Sequence, residues 1–349
     1  AIGVAPTIAV LRPESGEDPV LRGAAIAVRD LNAQGARVPG PRFEVRVPPT
    51  RAEGAVAIAA ALRADRDVVG VIGPTDSQSA LDAAPVYGDV DHDGANGVVA
   101  ISPTASSPVL HARSPWFFRV CPDDRAASRA AARFALDSLH VARAAVVYRN
   151  DVYGKGWSRG FADAFTAAGG TVVMRAPEVA RLTEWAEPYA TYARHERADL
   201  LVVVGDASGD ALPLVRAARA AGLDVPMLGG DGLSDTRDPA LRREIGAVRY
   251  TALFDARHPA SAQARHFVDA YVAVYGTRPG QEAALAYDAA LLLGEAARAT
   301  GADRHAVREY LDGVGRSRPA FVGATGAIAF DRGHDVVFKP ITLARVADQ

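Results

Sequence analysis

The chain has 349 residues, 49% of them apolar, and a formal net charge of −2. That length and apolar content support two ordinary hydrophobic cores better than one large one. The near-neutral charge and the lack of a long Lys/Arg cluster exclude an electrostatic footprint for nucleic acid, and no apolar run approaches the roughly 20 residues of a membrane span.

One cysteine, Cys121, excludes an internal disulfide. The basic residues are almost all Arg, with only Lys155 and Lys339 as lysines. The chain starts at Ala1 and not at Met, which predicts a removed leader, either a secretory signal or a cloning remnant.

In chain order the pattern is strand, helix, strand, helix. "TIAVL" (7–11) reads as a strand, and the next helix carries Leu21, Ala24, Val28 and Leu31 on one face and ends at Gly35. "RFEVRV" (42–47) alternates like a half-exposed strand, 52–64 is an Ala-rich helix, and "VVGVI" (68–72) is a buried strand. A hydroxyl-rich turn at 73–77 leads into the helix "ALDAAPVY", and "GVVAIS" (97–102) is a strand. A second series begins with a helix near 124, then "AAVVYR" (144–149) and a helix with Trp157, Phe161, Ala164 and Ala168 on one face. "TVVM" (171–174), a helix over 183–196, "DLLVVVG" (199–205) and a helix over 209–221 complete it. From about 252 come helices over 260–275, 281–300 and 303–313, then "GAIAF" and a final strand pair in "VVFKPITLARV".

Continuous apolar strands mark parallel sheets covered on both faces. Alternating βα units of this length predict an α/β fold of doubly wound parallel sheets. No low-complexity segment or short repeat interrupts the pattern.

The chemical signatures of such folds are missing. No G-x-G-x-x-G follows the first strand, no G-x-x-x-x-G-K-[ST] occurs, and the turn at 73–77 carries no G-x-S-x-G. The eight histidines form no H-E-x-x-H and have no cysteine partners for zinc. A long βα protein without these marks is expected to bind rather than to catalyse.

"GAAIAVRDLNAQG" (23–35), "VVGVIGPTDS" (68–77), "AAPVY" (83–87), "VVAISPTASSP" (98–108), "FFRVCPDD" (117–124), "NDVYGKG" (150–156), "MLGGDGL" (227–233) and "ALAYDAALLLGEA" (284–296) occur in this order. Together, over essentially the whole chain, they resemble the leucine/isoleucine/valine-binding type of periplasmic solute-binding protein, the type I periplasmic binding fold. The resemblance implies two doubly wound lobes joined by three hinge crossings, lobe 1 at 1–121 plus 252–329 and lobe 2 at 122–251 plus 330–349, with the ligand cleft between them. It also implies a protein without catalytic activity that delivers an amino acid or similar small polar solute to an ABC permease. Such a protein works outside the cytoplasm, either periplasmic or lipid-anchored on the cell surface, and a monomer is expected. The same module serves as the sensor domain of larger receptors, and an enzyme on a doubly wound fold is the remote alternative.

By the same resemblance Ser77 matches the hydroxyl that holds the ligand carboxylate, and Thr104, Ala105 and Ser106 match a second carboxylate-binding turn. Tyr153 matches the aromatic that lobe 2 closes over the ligand, and Asp231 an acidic residue that pairs with an α-ammonium. Helix N-capping is the plainer reading of Ser77 and Ser106, packing that of Tyr153, and turn formation that of Asp231. Three places depart from the family pattern. Asp76 stands where a small or apolar residue is usual, pointing either to a polar ligand group or to solvent. "RPESGEDP" (12–19) lacks the expected aromatic, and after "VVVG" the segment "DASGD" (206–210) supplies none either, with Asp206 or Ser208 able to reach the cleft. The departures imply a pocket more polar than one built for leucine.

Between "AAPVY" and "VVAISP" lies "GDVDHDGANG" (88–97), longer than the family's connection. Asp89, Asp91 and Asp93 followed by Gly94 fit the start of a calcium loop, whose twelfth position is here Ala100 and not the usual Glu. The loop is expected either to hold a structural Ca²⁺ or to be a solvated acidic loop. No other cofactor is expected.

Overall fold

The computed structural model describes residues 6–11, 18–35, 41–47, 54–177, 182–234 and 236–349. The elements in chain order are β1 (Thr7–Val10), α1 (Pro19–Gly35), β2 (Glu44–Arg46), α2 (Gly54–Ala64), β3 (Val68–Ile72), α3 (Ser77–Tyr87), β4 (Val99–Ser102) and β5 (Phe117–Arg119). They continue with α4 (Asp124–Asp137), β6 (Arg143–Tyr148), α5 (Val152–Ala167), β7 (Thr171–Pro177), α6 (Leu182–His195), β8 (Leu200–Val204), α7 (Leu212–Ala220), β9 (Met227–Gly229), α8 (Pro239–Ile245) and β10 (Arg249–Ala252). α9 (Ala262–Tyr275), α10 (Gln281–Ala299), α11 (Arg304–Asp312), β11 (Phe321–Gly323), β12 (Gly326–Ile328) and β13 (Thr342–Arg345) complete the chain.

These elements belong to two compact units, Ala1–Pro122 with Phe254–Lys339 and Asp123–Leu253 with Pro340–Gln349. Unit 1 holds a parallel sheet in the order β2-β1-β3-β4-β5. Its strands β1, β3 and β4 are buried along their whole length, as their unbroken apolar runs require. α10 is buried on nearly every side, which suits a sequence rich in Ala and Leu.

Unit 2 orders its strands β13-β10-β9-β8-β6-β7, parallel except for β13, which runs antiparallel to β10. Under this sheet α5 stacks Trp157, Phe161 and Phe165, with ring centroids 5.8 and 5.3 Å apart and all three buried. Burial of side chains this size stabilises by about 1.5–3 kcal/mol each. The stripe passes through Phe165 and not the expected Ala168, because the helix ends at Ala167 and leaves Ala168 exposed.

Three differences from the sequence reading have physical causes. The expected strand pair in 336–346 is one strand, β13, preceded by an isolated bridge between Phe330 and Val336. Pro340 has no N–H for a ladder and Phe338 takes φ 57°, so no strand runs through them. Residues 330–339 lie in unit 1 and not with lobe 2, because Asp335 and Lys339 bond to Arg119 and to the Val120 carbonyl. The helix expected over 209–221 begins as a π turn at Ala207–Ala211, where the Asp206 carboxylate accepts the Gly209 N–H.

Candidate functional site

In a parallel α/β sheet the carboxyl ends of the strands face the N-termini of the following helices, and ligands collect there, at the point where the strand order reverses. In unit 1 that point lies between β1 and β3, and the turns after β3 and β4 are the two hydroxyl-rich segments. The turn after β3 is tightly constrained. Gly73 takes φ 124°, and a Cβ there would lie 2.8 Å from the Leu11 Cβ, so only glycine fits.

The two turns are stitched together by hydroxyls. Ser102 Oγ donates to the Pro74 carbonyl at 2.5 Å and accepts from the Ala105 N–H at 2.9 Å. Thr104 Oγ1 donates to the Thr75 carbonyl at 2.6 Å. Ser77, the first residue of α3, is buried, and its Oγ accepts from the Ser107 N–H at 3.2 Å. That bond uses an oxygen lone pair and leaves the Ser77 hydroxyl hydrogen to donate. Beside it the hydroxyls of Ser106 and Ser107 are buried without a hydrogen-bond partner. A buried hydroxyl without a partner costs free energy unless something arrives to accept its hydrogen.

The helix cap at this site is Asp76, not a serine. Its carboxylate accepts the Ser79 N–H at 2.8 Å and remains exposed, so capping accounts for the acidic residue beside the hydroxyls. Thr104 and Ala105 are likewise occupied within the turn, and the Ala105 carbonyl accepts from Arg119 Nη1 at 3.4 Å.

Unit 2 presents a different chemistry at the ends of β6, β8 and β9. Asp151 caps α5 by accepting the Gly154 N–H at 2.7 Å, which places Tyr153 in the first turn. Its hydroxyl donates to Asp231 Oδ1 at 2.9 Å and accepts from the Gly232 N–H at 3.2 Å. A Cβ at Gly230 would lie 2.2 Å from the Tyr153 hydroxyl and 3.1 Å from Trp157 Nε1, so glycine gives the aromatics their approach. Burial raises the pKa of Asp231, against the lowering effect of the Tyr153 hydrogen bond. The same burial, with the Asp231 charge second, keeps the Tyr153 phenol protonated far above the usual range. Trp157 Nε1 is buried without a partner.

Asp206 accepts the Gly209 N–H at 2.6 Å and the Ser208 hydroxyl at 3.1 Å. Arg149, half-buried, donates to Asp151 at 2.8 Å and approaches Asp206 at 3.4 Å. Sequence reasoning passed over Arg149 and Ser107. The signals were present as a charge directly after the β6 run and as the second serine of "TASSP".

The structure thus gathers the predicted residues into two sets, Asp76, Ser77, Thr104, Ala105 and Ser106 in unit 1, and Tyr153, Asp206 and Asp231 in unit 2. The segment 12–17, expected to lack an aromatic wall, lies outside the described residues.

The acidic loop spends its carboxylates differently from a calcium loop. Asp89 is buried, pairs with Arg63 at 2.6 Å, and accepts from the Asn96 N–H at 3.0 Å. A bond with His92 and then those with Asn96 and Arg63 outweigh desolvation and hold its pKa down to about 2. Asp91 and Asp93 are exposed. Among the described residues, the one group of three metal-capable side chains whose ligand atoms lie within 4.8 Å of one another is elsewhere, at His111, Asp331 and Asp335.

Comparison with known proteins completes the description. The family profile described as "Periplasmic binding protein" matches residues 6–349, and the chain belongs to that family. The Leu/Ile/Val-binding protein of Rhizobium johnstonii is 28% identical over 261 residues, 72% of this chain and 68% of the relative. That of Escherichia coli is 27% identical over 222 residues, 62% of this chain and 58% of the relative, so the match spans less than two thirds of the latter's length. Among solved structures, an ABC transporter substrate-binding protein from Desulfitobacterium hafniense in complex with Leu is 26% identical at TM-score 0.82, covering 97% of this chain and 96% of that one. A solute-binding protein from R. palustris in complex with benzoate, 20% identical at TM-score 0.81 over 98% of this chain and 93% of that one, shares the fold. The family and its structural neighbours are substrate-binding proteins and not enzymes, and the fold is that of type I periplasmic binding proteins. Among the described residues no helix is long and apolar enough to cross a membrane.

Proposed function

We propose that this protein is the extracytoplasmic binding component of an ABC importer and takes an amino acid or a similar small polar solute, with a permease as its partner. One observation carries the reading. The buried, unpartnered hydroxyls of Ser106 and Ser107 lie beside the Ser77 hydroxyl, on the side of the sheet where helix N-termini gather. Such a set of donors suits a carboxylate. In unit 2 the Tyr153–Asp231 pair supplies an oriented carboxylate, which suits an α-ammonium.

The magnitudes are adequate. Charge-assisted hydrogen bonds contribute about 1.5–3 kcal/mol each. Three or four of them, less ordering costs, reach the roughly 8 kcal/mol of micromolar binding. The Leu-bound neighbour and the relatives named for Leu, Ile and Val support an amino acid. The polar surroundings of Asp206 and Arg149 favour one with a polar side chain over leucine itself.

A thermal-shift and calorimetry screen tests this directly. The panel holds the twenty amino acids, their decarboxylated and deaminated analogues, and benzoate. An amino acid that stabilises the protein, while both of its analogues do not, is the expected result. Stabilisation by benzoate or a deaminated acid alone removes the ammonium role of Asp231, and no response across the panel removes the solute class.

A further inference from the structure

Arg119 is one of the largest fully buried side chains in the molecule, and no substrate is needed to explain its bonds. It ends β5, in an otherwise apolar run, and its guanidinium reaches two separate segments of unit 1. Nε and Nη2 hold the two oxygens of Asp335 at 2.5 and 2.6 Å, a bidentate fork. Nη1 donates to the Ser107 carbonyl at 2.8 Å and to the Ala105 carbonyl at 3.4 Å. The Arg119 N–H donates to the His334 carbonyl at 3.2 Å, and Lys339 Nζ donates to the Val120 carbonyl at 2.9 Å. The segments 119–122 and 335–339 are the two stretches through which the chain leaves unit 1, at Pro122 and at Lys339.

The neighbouring cluster has its own cation. His111 Nδ1 lies 3.0 Å from Asp335 Oδ2 and 4.0 Å from Asp331 Oδ2, a spacing that could suit a metal. Both oxygens of Asp335 already carry Arg119, however. Burial alone would raise the Asp335 pKa, yet the Arg119 bonds and charge, with His111, hold it low. The charge is therefore compensated within the protein.

We propose that Arg119 is a positioning residue that locks the Ala105–Ser107 turn to the two departing chain segments, so that the solute hydroxyls and the crossings of unit 1 move as one block. By holding the carbonyls of Ala105 and Ser107, it fixes the two residues whose own N–H groups, each in the preceding peptide plane, meet Ser102 Oγ and Ser77 Oγ. This rests on the proposed binding role of Ser77 and Ser106.

The test separates positioning from mere stability. Breaking a buried ion pair from one side is strongly destabilising, whereas replacing both partners with apolar residues of similar size is often neutral. Arg119→Met and Asp335→Leu singly should each lower Tm, and the double variant should recover most of the loss. Amide hydrogen exchange at Ala105 and Ser107, measured without solute, should remain at least 10-fold faster than wild type in the double variant. Its affinity for L-leucine, or for the best binder of the panel, should remain at least 10-fold weaker. Arg119→Lys keeps the charge but not the fork, and should show the same exchange signature in a folded protein. Wild-type exchange at Ala105 and Ser107 in either variant overturns the proposal, as does wild-type affinity in the double variant. If the wild type binds no solute, the proposed function falls, while the exchange measurement still judges the positioning role.

Discussion

The two units carry their candidate residues on the same structural feature, the carboxyl end of a parallel sheet, but with opposite chemistry. Unit 1 offers neutral hydroxyls and backbone N–H groups, and the buried guanidinium of Arg119 is turned away from them onto Asp335 and backbone carbonyls. Unit 2 offers carboxylates and an aromatic hydroxyl, with Arg149 set between Asp151 and Asp206. Neutral donors fixed by a scaffold accept an anion without the desolvation of a buried charge of their own. A carboxylate suits a cation but is costly to bury, and unit 2 bears that cost at Asp231, whose pKa burial raises. Under the proposed function, the hydroxyls of unit 1 suit an anionic group and the carboxylate of unit 2 a cationic one.

The largest expected effect comes from removing the one charge assigned to the ammonium. Asp231→Ala should weaken binding of an amino acid roughly 100-fold, about 2–3 kcal/mol, by calorimetry. An unchanged affinity would return Asp231 to a turn residue. Ser77→Ala removes a neutral donor and should cost about 10-fold, with Ser106→Ala similar. Tyr153→Phe, which removes the hydrogen bond that lowers the Asp231 pKa, should cost several-fold. If the serine variants outrank Asp231→Ala, the division of labour between the units is inverted.

The pH dependence sharpens the same contrast. A raised pKa means that Asp231 takes up its proton at a higher pH than an ordinary carboxyl group. Affinity for an ammonium-bearing solute should therefore fall on acidification, beginning above the usual carboxylate range, and Asp231→Asn should abolish that acidic limb. The shift has the opposite direction at Asp335, whose pKa is depressed in the folded state. Its contribution is full above the unfolded pKa and disappears as pH falls through the folded one, so Asp335→Asn should flatten acid unfolding. The smallest effect concerns the acidic loop. With Asp89 paired to Arg63, calorimetry with Ca²⁺ should give no heat of binding in the wild type or in Asp91→Ala. Heat that vanishes in Asp91→Ala would restore the cation reading.

Much of this was readable from particular residues. The unbroken apolar runs at 68–72 and 200–204 dictated buried parallel strands, because only a sheet covered on both faces hides every side chain. The family resemblance of their motifs nominates Ser77, Ser106, Tyr153 and Asp231, and each lies within a few residues of the end of a strand. The strands β5, β9 and β10 escaped, since three or four residues give too short a run to show a period.

The sequence by itself determined the fold class and the family, since those depend on local periodicity and short motifs. Only the tertiary structure decided how individual carboxylates are used. Asp76 caps a helix, Asp89 neutralises an arginine 26 positions before it, and Asp335 clasps an arginine 216 positions away. An acidic side chain takes its role from whichever donor the fold brings within about 3 Å, and that distance is not written in the chain.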